Sequence, residues 1–372
     1  MSNEFEKSVY GKSVNMTEQT LVSKGPMFIM VWRCTHGCNL NCMYCSFRGG
    51  DLPNAPASDE LDVKGALRVV DEIYDFGATW FGLSGGEPLT RADIFEPIHH
   101  ANELGMKVSL ITNGLFVNGD IYNRLIKEDV LTSISLDGPE FVQDRLRGRG
   151  EHKLAFSAIQ KLSKVGLLDC LVTTVTKLNL KEMDYLVGVA DEYDAKRVVI
   201  HNYVPVGNGK YNVELAPSPE EYEWLWNHVY DLYEEYKGRV DIKVYCPFYA
   251  RVVRERGMHN FWDWYSNDFL GRCTMDGHYV SISPNGDVKP CGFNESLRLA
   301  NLGYKSLREI WDDLQRDEFY LKVRDKRNLK GKCGVCEYRE ICGGCRTRAE
   351  YYTGDIFESD PACAYIPQVL CE

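Results

Sequence analysis

Between Phe28 and Val204 the chain alternates six short β-rich runs with amphipathic helical segments. The runs read "FIMVWR", "TWFGLS", "KVSLIT", "TSISL", "LVTTV" and "RVVIHNYV". Parallel strands need long crossovers, usually helical, so this alternation predicts an α/β fold, a partial (β/α)6 TIM-like barrel. Within Leu61–Phe76, Val63, Ala66, Leu67, Val70, Ile73 and Tyr74 recur at helical spacing and predict one apolar stripe laid against the sheet.

The rest of the chain divides at composition changes. Residues 1–27 form an N-terminal extension and 28–205 the barrel, closed by the Gly/Pro-rich "VPVGNGKYNVELAPSP". Residues 206–270 bridge, with a helix expected over Glu220–Lys237 behind Ser218 and Pro219. Residues 271–372 are turn-rich and cysteine-dense, with a hairpin turn at "SPNGDV". A formal charge of −11 argues against nucleic acid or an anionic membrane as the main partner, because both would repel the chain unless a local basic patch intervened. No run of eighteen apolar residues and no signal-peptide layout appear, which predicts a cytoplasmic protein with reduced thiols. In that compartment fourteen cysteines point to metal ligation, not to a disulfide scaffold.

"GCNLNCMYC" sets Cys38, Cys42 and Cys45 in a C-x3-C-x2-C spacing after the first run. A disulfide would leave one thiol over, and a four-thiolate zinc site needs two C-x2-C halves. Three close thiolates suit an iron–sulfur cluster with one open iron. "SGGEP", Ser84 to Pro88, follows the second run; its glycines allow a ligand close to the backbone and Glu87 can accept from an ammonium group. "TNG" (Thr112 to Gly114) and "SISLDG" (Ser133 to Gly138) end later runs, where barrel sites gather polar groups. "DRLRGRG" offers Arg147 for a carboxylate, in competition with Arg145 and Arg149.

These motifs resemble the radical S-adenosylmethionine (SAM) superfamily, in which an aromatic residue precedes the last cysteine of the cluster loop; Tyr44 fills that place. The tail, with Cys273, Cys291, the run Cys333-x2-Cys336-x5-Cys342-x2-Cys345, and Cys363, resembles the SPASM extension of such enzymes. "ICGGCRTRA" is similar to the branch that includes haem and haem d1 biosynthesis enzymes, the pyrroloquinoline quinone pathway enzyme and several peptide-maturing enzymes. Spacing alone leaves a zinc ribbon as the alternative for the tail.

The resemblance implies SAM contacts at Tyr44, Gly85, Gly86, Glu87, Asn113, Ser135, Asp137 and Arg147, with Ser135 and Asp137 at the ribose and Arg147 at the methionyl carboxylate. It implies one [4Fe-4S] cluster on Cys38, Cys42 and Cys45 and two auxiliary clusters. The outer one would use Cys333, Cys336, Cys342 and Cys363, the inner one Cys273, Cys291 and Cys345. The inner set is one ligand short. Cys246 ends the β-like run "VDIKVY", is turned by Pro247, and is the candidate fourth. Cys34, Cys170 and Cys371 are read as structural. No acid or base is singled out.

The implied activity is reductive SAM cleavage to a 5′-deoxyadenosyl radical that abstracts hydrogen from a substrate carbon, with a low-potential donor such as ferredoxin or flavodoxin as partner. The substrate reading is side-chain modification of a haem-type tetrapyrrole, with maturation of a ribosomally made peptide as the alternative. About 27 residues precede the barrel, too few for the winged-helix peptide-recognition domain of some peptide maturases, which weighs against the peptide reading unless a separate recognition protein serves. A non-catalytic iron–sulfur or zinc module is the reading from another class, and the intact Cys38, Cys42, Cys45 and Glu87 set opposes it.

Overall fold

The structure, a computed structural model, describes residues 29–48, 59–267, 271–277, 279–294 and 296–371; the N-terminal extension lies outside them. Each of the six β-rich runs is a strand: β1 Ile29–Arg33, β2 Trp80–Ser84, β3 Lys107–Thr112, β4 Leu131–Ser135, β5 Leu168–Thr174 and β6 Arg197–His201. They pair in parallel and in chain order. The crossovers carry α1 Val63–Asp75, α2 Phe95–Glu103, α3 Gly119–Lys127, α4 Glu140–Arg147, α5 Glu151–Lys164 and α6 Met183–Glu192.

The pleat sorts side chains to two faces. Trp32 on β1 stacks on Phe81 of β2 and, with Leu83, is buried beneath the helices. Arg33 and Ser84, one residue on, are register partners on the opposite face. β6 and the strand Asp241–Tyr245 repeat the pattern, with Val198, Ile200, Ile242 and Val244 buried and the residues between them half-buried. The stripe expected on α1 is shifted: Ala66, Val69, Val70 and Ile73 are buried, while Val63 and Tyr74 stand 38% and 44% exposed. Val69 completes a face that the 63/74 pair had seemed to extend.

The sheet does not stop at residue 205. β7 (Asp241–Tyr245) adds in parallel to β6, and β8 (Tyr279–Ile282) adds in parallel to the other edge of β1. β9 (Asp287–Lys289) and β10 (Ala300–Asn301) follow in antiparallel pairing, the β8–β9 turn holding Gly286 at φ +86°. One ten-stranded sheet therefore crosses both boundaries expected at 205 and 270. Between β6 and β7, α7 runs over Pro219–Glu235, begun by a reciprocal cap between Ser218 and Glu221.

The remaining helices are α8 Tyr249–Glu255, α9 Phe261–Asn267, α10 Leu307–Leu314, α11 Glu318–Arg324, α12 Gly331–Gly334 and α13 Arg346–Thr353. α10 is bolted to the barrel: Leu307 N donates to Glu72 Oε2 at 2.7 Å and an Arg308 Nη to the Phe76 carbonyl at 2.7 Å. Leu302, Tyr320 and Ala362 of the tail join the main core, while Met275, Val323 and Ile356 pack with Cys273 and Cys291 in a small separate one.

Candidate active site and metal centres

The loop after β1 carries Cys38, Cys42 and Cys45. Leu40 N donates to Cys38 Sγ and Arg48 N to Cys45 Sγ, each at 3.4 Å, and Arg147 Nη1 lies 4.0 Å from Cys42 Sγ. N–H groups aimed at sulfur suit thiolates. Burial pushes the Cys38 thiol up to about 11 and Cys42 to about 12, so both are protonated at neutral pH unless a metal displaces the proton. The donor set and its N–H···S cradle fit an iron–sulfur cluster.

"SGGEP" docks directly on that loop. Gly86 N donates to the Thr35 carbonyl and Glu87 N to the Gly37 carbonyl, both at 2.8 Å. A Cβ on Gly86 would sit 2.1 Å from Gly37 O, so only glycine fits the contact. Glu87 is buried and accepts from Leu89 N, Thr112 Oγ1 and Asn113 N. Burial raises its carboxyl to about 7 against those hydrogen bonds. Asn113 Nδ2 donates to Asn39 Oδ1 at 2.8 Å, tying the end of β3 to the cluster loop.

Asp137, following β4, is fully buried. Its Oδ2 accepts from Arg147 Nε at 2.7 Å and from the Tyr44 hydroxyl; its Oδ1 accepts from Thr173 Oγ1 at 2.9 Å. With both oxygens accepting from protein donors, Asp137 braces Tyr44 and Arg147. Ser135, half-buried at the end of β4, stays beside it. Of the three competing arginines, Arg147 turns inward with a 10% exposed side chain, while Arg145 and Arg149 are exposed.

The Gly/Pro-rich segment after β6, expected to close the barrel, also clamps the cluster loop. Asn208 Nδ2 donates to Asn41 Oδ1 at 2.7 Å and to the Cys42 carbonyl at 3.0 Å; Asn212 Nδ2 donates to the Met43 carbonyl at 3.0 Å. The available signal was two asparagines in a glycine-bearing run directly after a strand end.

In the tail, Cys333, Cys336, Cys342 and Cys363 line one cavity with Arg251 and Tyr365. Asp360 N donates to Cys333 Sγ and Gly344 N to Cys342 Sγ, at 3.4 and 3.3 Å. Cys273, Cys291 and Cys345 lie near enough for their charges to couple, and Phe293 N donates to Cys291 Sγ at 3.4 Å. Burial pushes Cys273 up to about 12 and Cys345 to about 11. Both sets fit thiolate-ligated clusters by the same N–H···S chemistry. Cys246 is fully buried after β7; burial raises its thiol, and the charges of Arg348, Asp360 and Cys345 act on it. Its charge also reaches Cys342, which puts it between the two sets. Cys34 and Cys170 are buried and Cys371 is exposed.

Residues 32–186 match the radical SAM superfamily and 273–337 the SPASM iron–sulfur cluster-binding domain. The AdoMet-dependent heme synthase of Methanosarcina barkeri is 34% identical over 348 residues, covering 91% of this chain and 97% of that protein. The PqqA peptide cyclase of Granulibacter bethesdensis is 30% identical over 347 residues, covering 90% and 86%. Streptococcus suis SuiB bound to its precursor peptide SuiA shares the fold, with TM-score 0.70 and 21% identity over 90% of this chain and 75% of that one. No helix among the described residues is long and apolar enough to cross a membrane. The paired domains bind SAM and a [4Fe-4S] cluster in the barrel and auxiliary iron–sulfur clusters in the tail. The chain is an enzyme of the radical SAM superfamily, in the branch that carries a SPASM domain.

Proposed function

We propose that the protein modifies a side chain of a carboxylated, haem-type tetrapyrrole. The observation that carries this reading is the end-to-end match to a heme synthase, whose length this chain covers almost completely. When bound, SAM and its cluster supply the power to take hydrogen from an unactivated carbon. This chain's own residues do the holding: Gly85, Gly86 and Glu87 at the methionyl amino group, Arg147 at its carboxylate, and Ser135 at the ribose, with Asn113 and Tyr44 completing the pocket. Asp137 acts by bracing Tyr44 and Arg147.

The same proposal gives Cys38, Cys42 and Cys45 to the SAM cluster. Cys273, Cys291 and Cys345 hold the inner auxiliary cluster, with Cys246 as its fourth ligand. Cys333, Cys336, Cys342 and Cys363 hold the outer one. The four outer thiols are only partly buried, whereas Cys273 and Cys291 are buried. That ordering favours the outer set as the meeting point for a low-potential donor such as ferredoxin or flavodoxin. The segments 28–205, 206–270 and 271–372 keep distinct roles within one sheet.

Anaerobically reconstituted protein is expected to form 5′-deoxyadenosine faster with an iron porphyrin bearing propionates than without, and to lower that porphyrin's mass. Stimulation by a peptide alone would favour the second reading, which the similarity to PqqA peptide cyclases supports. No 5′-deoxyadenosine under any condition would overturn both.

A further inference from the structure

Three strands converge on the backbone that follows Cys291. From β1, Arg33 Nη1 donates to the Gly292 carbonyl at 2.5 Å, its guanidinium 3.1 Å above the Phe47 ring. From β8, a Cβ on Gly292 would stand 3.2 Å from the Tyr279 hydroxyl and 3.7 Å from Ser281 Oγ. From β6, His201 meets Phe293 edge to face at 6.2 Å and stacks on Tyr245 of β7 at 4.4 Å, the planes 12° apart.

His201 joins this wall through its ring. It ends β6, at the side of a barrel where chemistry gathers, on the face opposite the helices, between its register partners Thr174 and Tyr245. Its Nδ1 is buried and has no partner. Leaving an N–H unpaired there costs more than leaving a lone pair, so the proton belongs on Nε2, the ring nitrogen that is not among the buried unpartnered atoms. Burial lowers its pKa to about 4, which keeps the ring neutral at pH 7.

We propose that His201 touches the substrate, its Nε2–H donating to a side-chain carboxylate while Arg33, on the other side of the Gly292–Phe293 backbone, supplies the positive charge. This rests on the tetrapyrrole reading above. A carboxylate seated there lies against the residue next to Cys291, which brings the reacting side chain up to the proposed inner cluster. Tyr245 and Phe293 fix the imidazole plane, so the donor is aimed before substrate arrives.

The test is a Soret-band titration of the cluster-loaded full chain, without oxygen, with iron coproporphyrin III and with its tetramethyl ester. His201→Phe keeps the stacked ring and removes the donor. It is expected to weaken the acid porphyrin about tenfold and to leave the ester unchanged, the loss fitting one hydrogen bond to a charged group. His201→Gln, which keeps an N–H, is expected to recover most of that loss, and Arg33→Met to weaken the acid porphyrin selectively. Iron content and SAM cleavage without substrate serve as folding controls; if His201→Phe fails them, His201→Gln and Arg33→Met decide the matter. Equal losses for acid and ester, or no loss for either, would overturn the proposal. Wild-type protein that binds neither porphyrin would instead reject the tetrapyrrole reading itself.

Discussion

Arg348 and Asp360 form a bidentate ion pair sealed inside the protein: Nε to Oδ1 at 2.7 Å and Nη2 to Oδ2 at 2.6 Å, with 2% and 0% of the side chains exposed. The remaining Arg348 nitrogen, Nη1, donates to the Tyr203 carbonyl just past β6, and Asp360 Oδ2 also accepts from Cys345 N. One pair thus ties the barrel to the loop that carries tail thiols.

Removing one partner strands a buried charge, so Arg348→Met or Asp360→Asn is expected to cost about 3–5 kcal/mol. Burial opposes the Asp360 charge, but the Arg348 guanidinium and the N–H donors outweigh it and hold the carboxyl below its usual range. A depressed folded pKa means that this stability is complete above the unfolded value of about 3.9 and is lost as pH falls below it. Thermal unfolding followed from pH 7 down to pH 3 should show the wild-type advantage over Asp360→Asn shrinking at the acid end. A constant difference would contradict the assignment.

Gly86→Ala places a methyl 2.1 Å from the Gly37 carbonyl oxygen and 2.8 Å from that of His36, both backbone. The cluster loop must move, and a displacement near 1 Å is expected to cut 5′-deoxyadenosine formation about a hundredfold. Activity within a factor of a few of wild type would show that the loop accommodates the methyl.

The strands that bind the active site were legible because each is a short β-rich run bounded by helical periods. That β7 and β8 extend the same sheet was not, because strand pairing is set by tertiary contacts, and a local β-like run such as "VDIKVY" holds no trace of its neighbour. The choice of Arg147 over Arg145 and Arg149 needed the register of α4, which ends at Arg147 and aims it at Asp137. The cysteine motifs were readable because ligand chemistry fixes spacing, whereas the partners of Asp137 come from a loop, a helix end and a strand far apart in sequence.

Asn208→Ala removes two hydrogen bonds to the cluster loop, to Asn41 and to the Cys42 carbonyl. The expected cost is about 1–2 kcal/mol, read as roughly tenfold faster loss of iron to a chelator with the tail iron retained. Unchanged kinetics would mean that the segment merely rests on the loop.

Iron counting separates the centres. Three cubanes require about twelve irons, and replacing Cys38, Cys42 and Cys45 together with Ala should leave about eight. Tightly bound zinc in that variant would reject the auxiliary assignment. Cys246→Ala should alter the paramagnetic resonance of the inner cluster while the outer signal persists; an unchanged spectrum would leave Cys246 as a core thiol between the two sets.

The pairing of β8 with β1 carries a consequence for how electrons travel. β1 delivers the loop with Cys38, Cys42 and Cys45, and β8 follows Cys273 and precedes Cys291, so neighbouring strands of one ladder carry ligands of the SAM cluster and of the proposed inner auxiliary cluster. The tail cannot swing outward without tearing hydrogen bonds from β1, an interior strand of the sheet. Tunnelling distances are therefore built in like the spacing of rungs, and traffic between the centres is set by driving force and by what occupies the space between them, not by a moving domain.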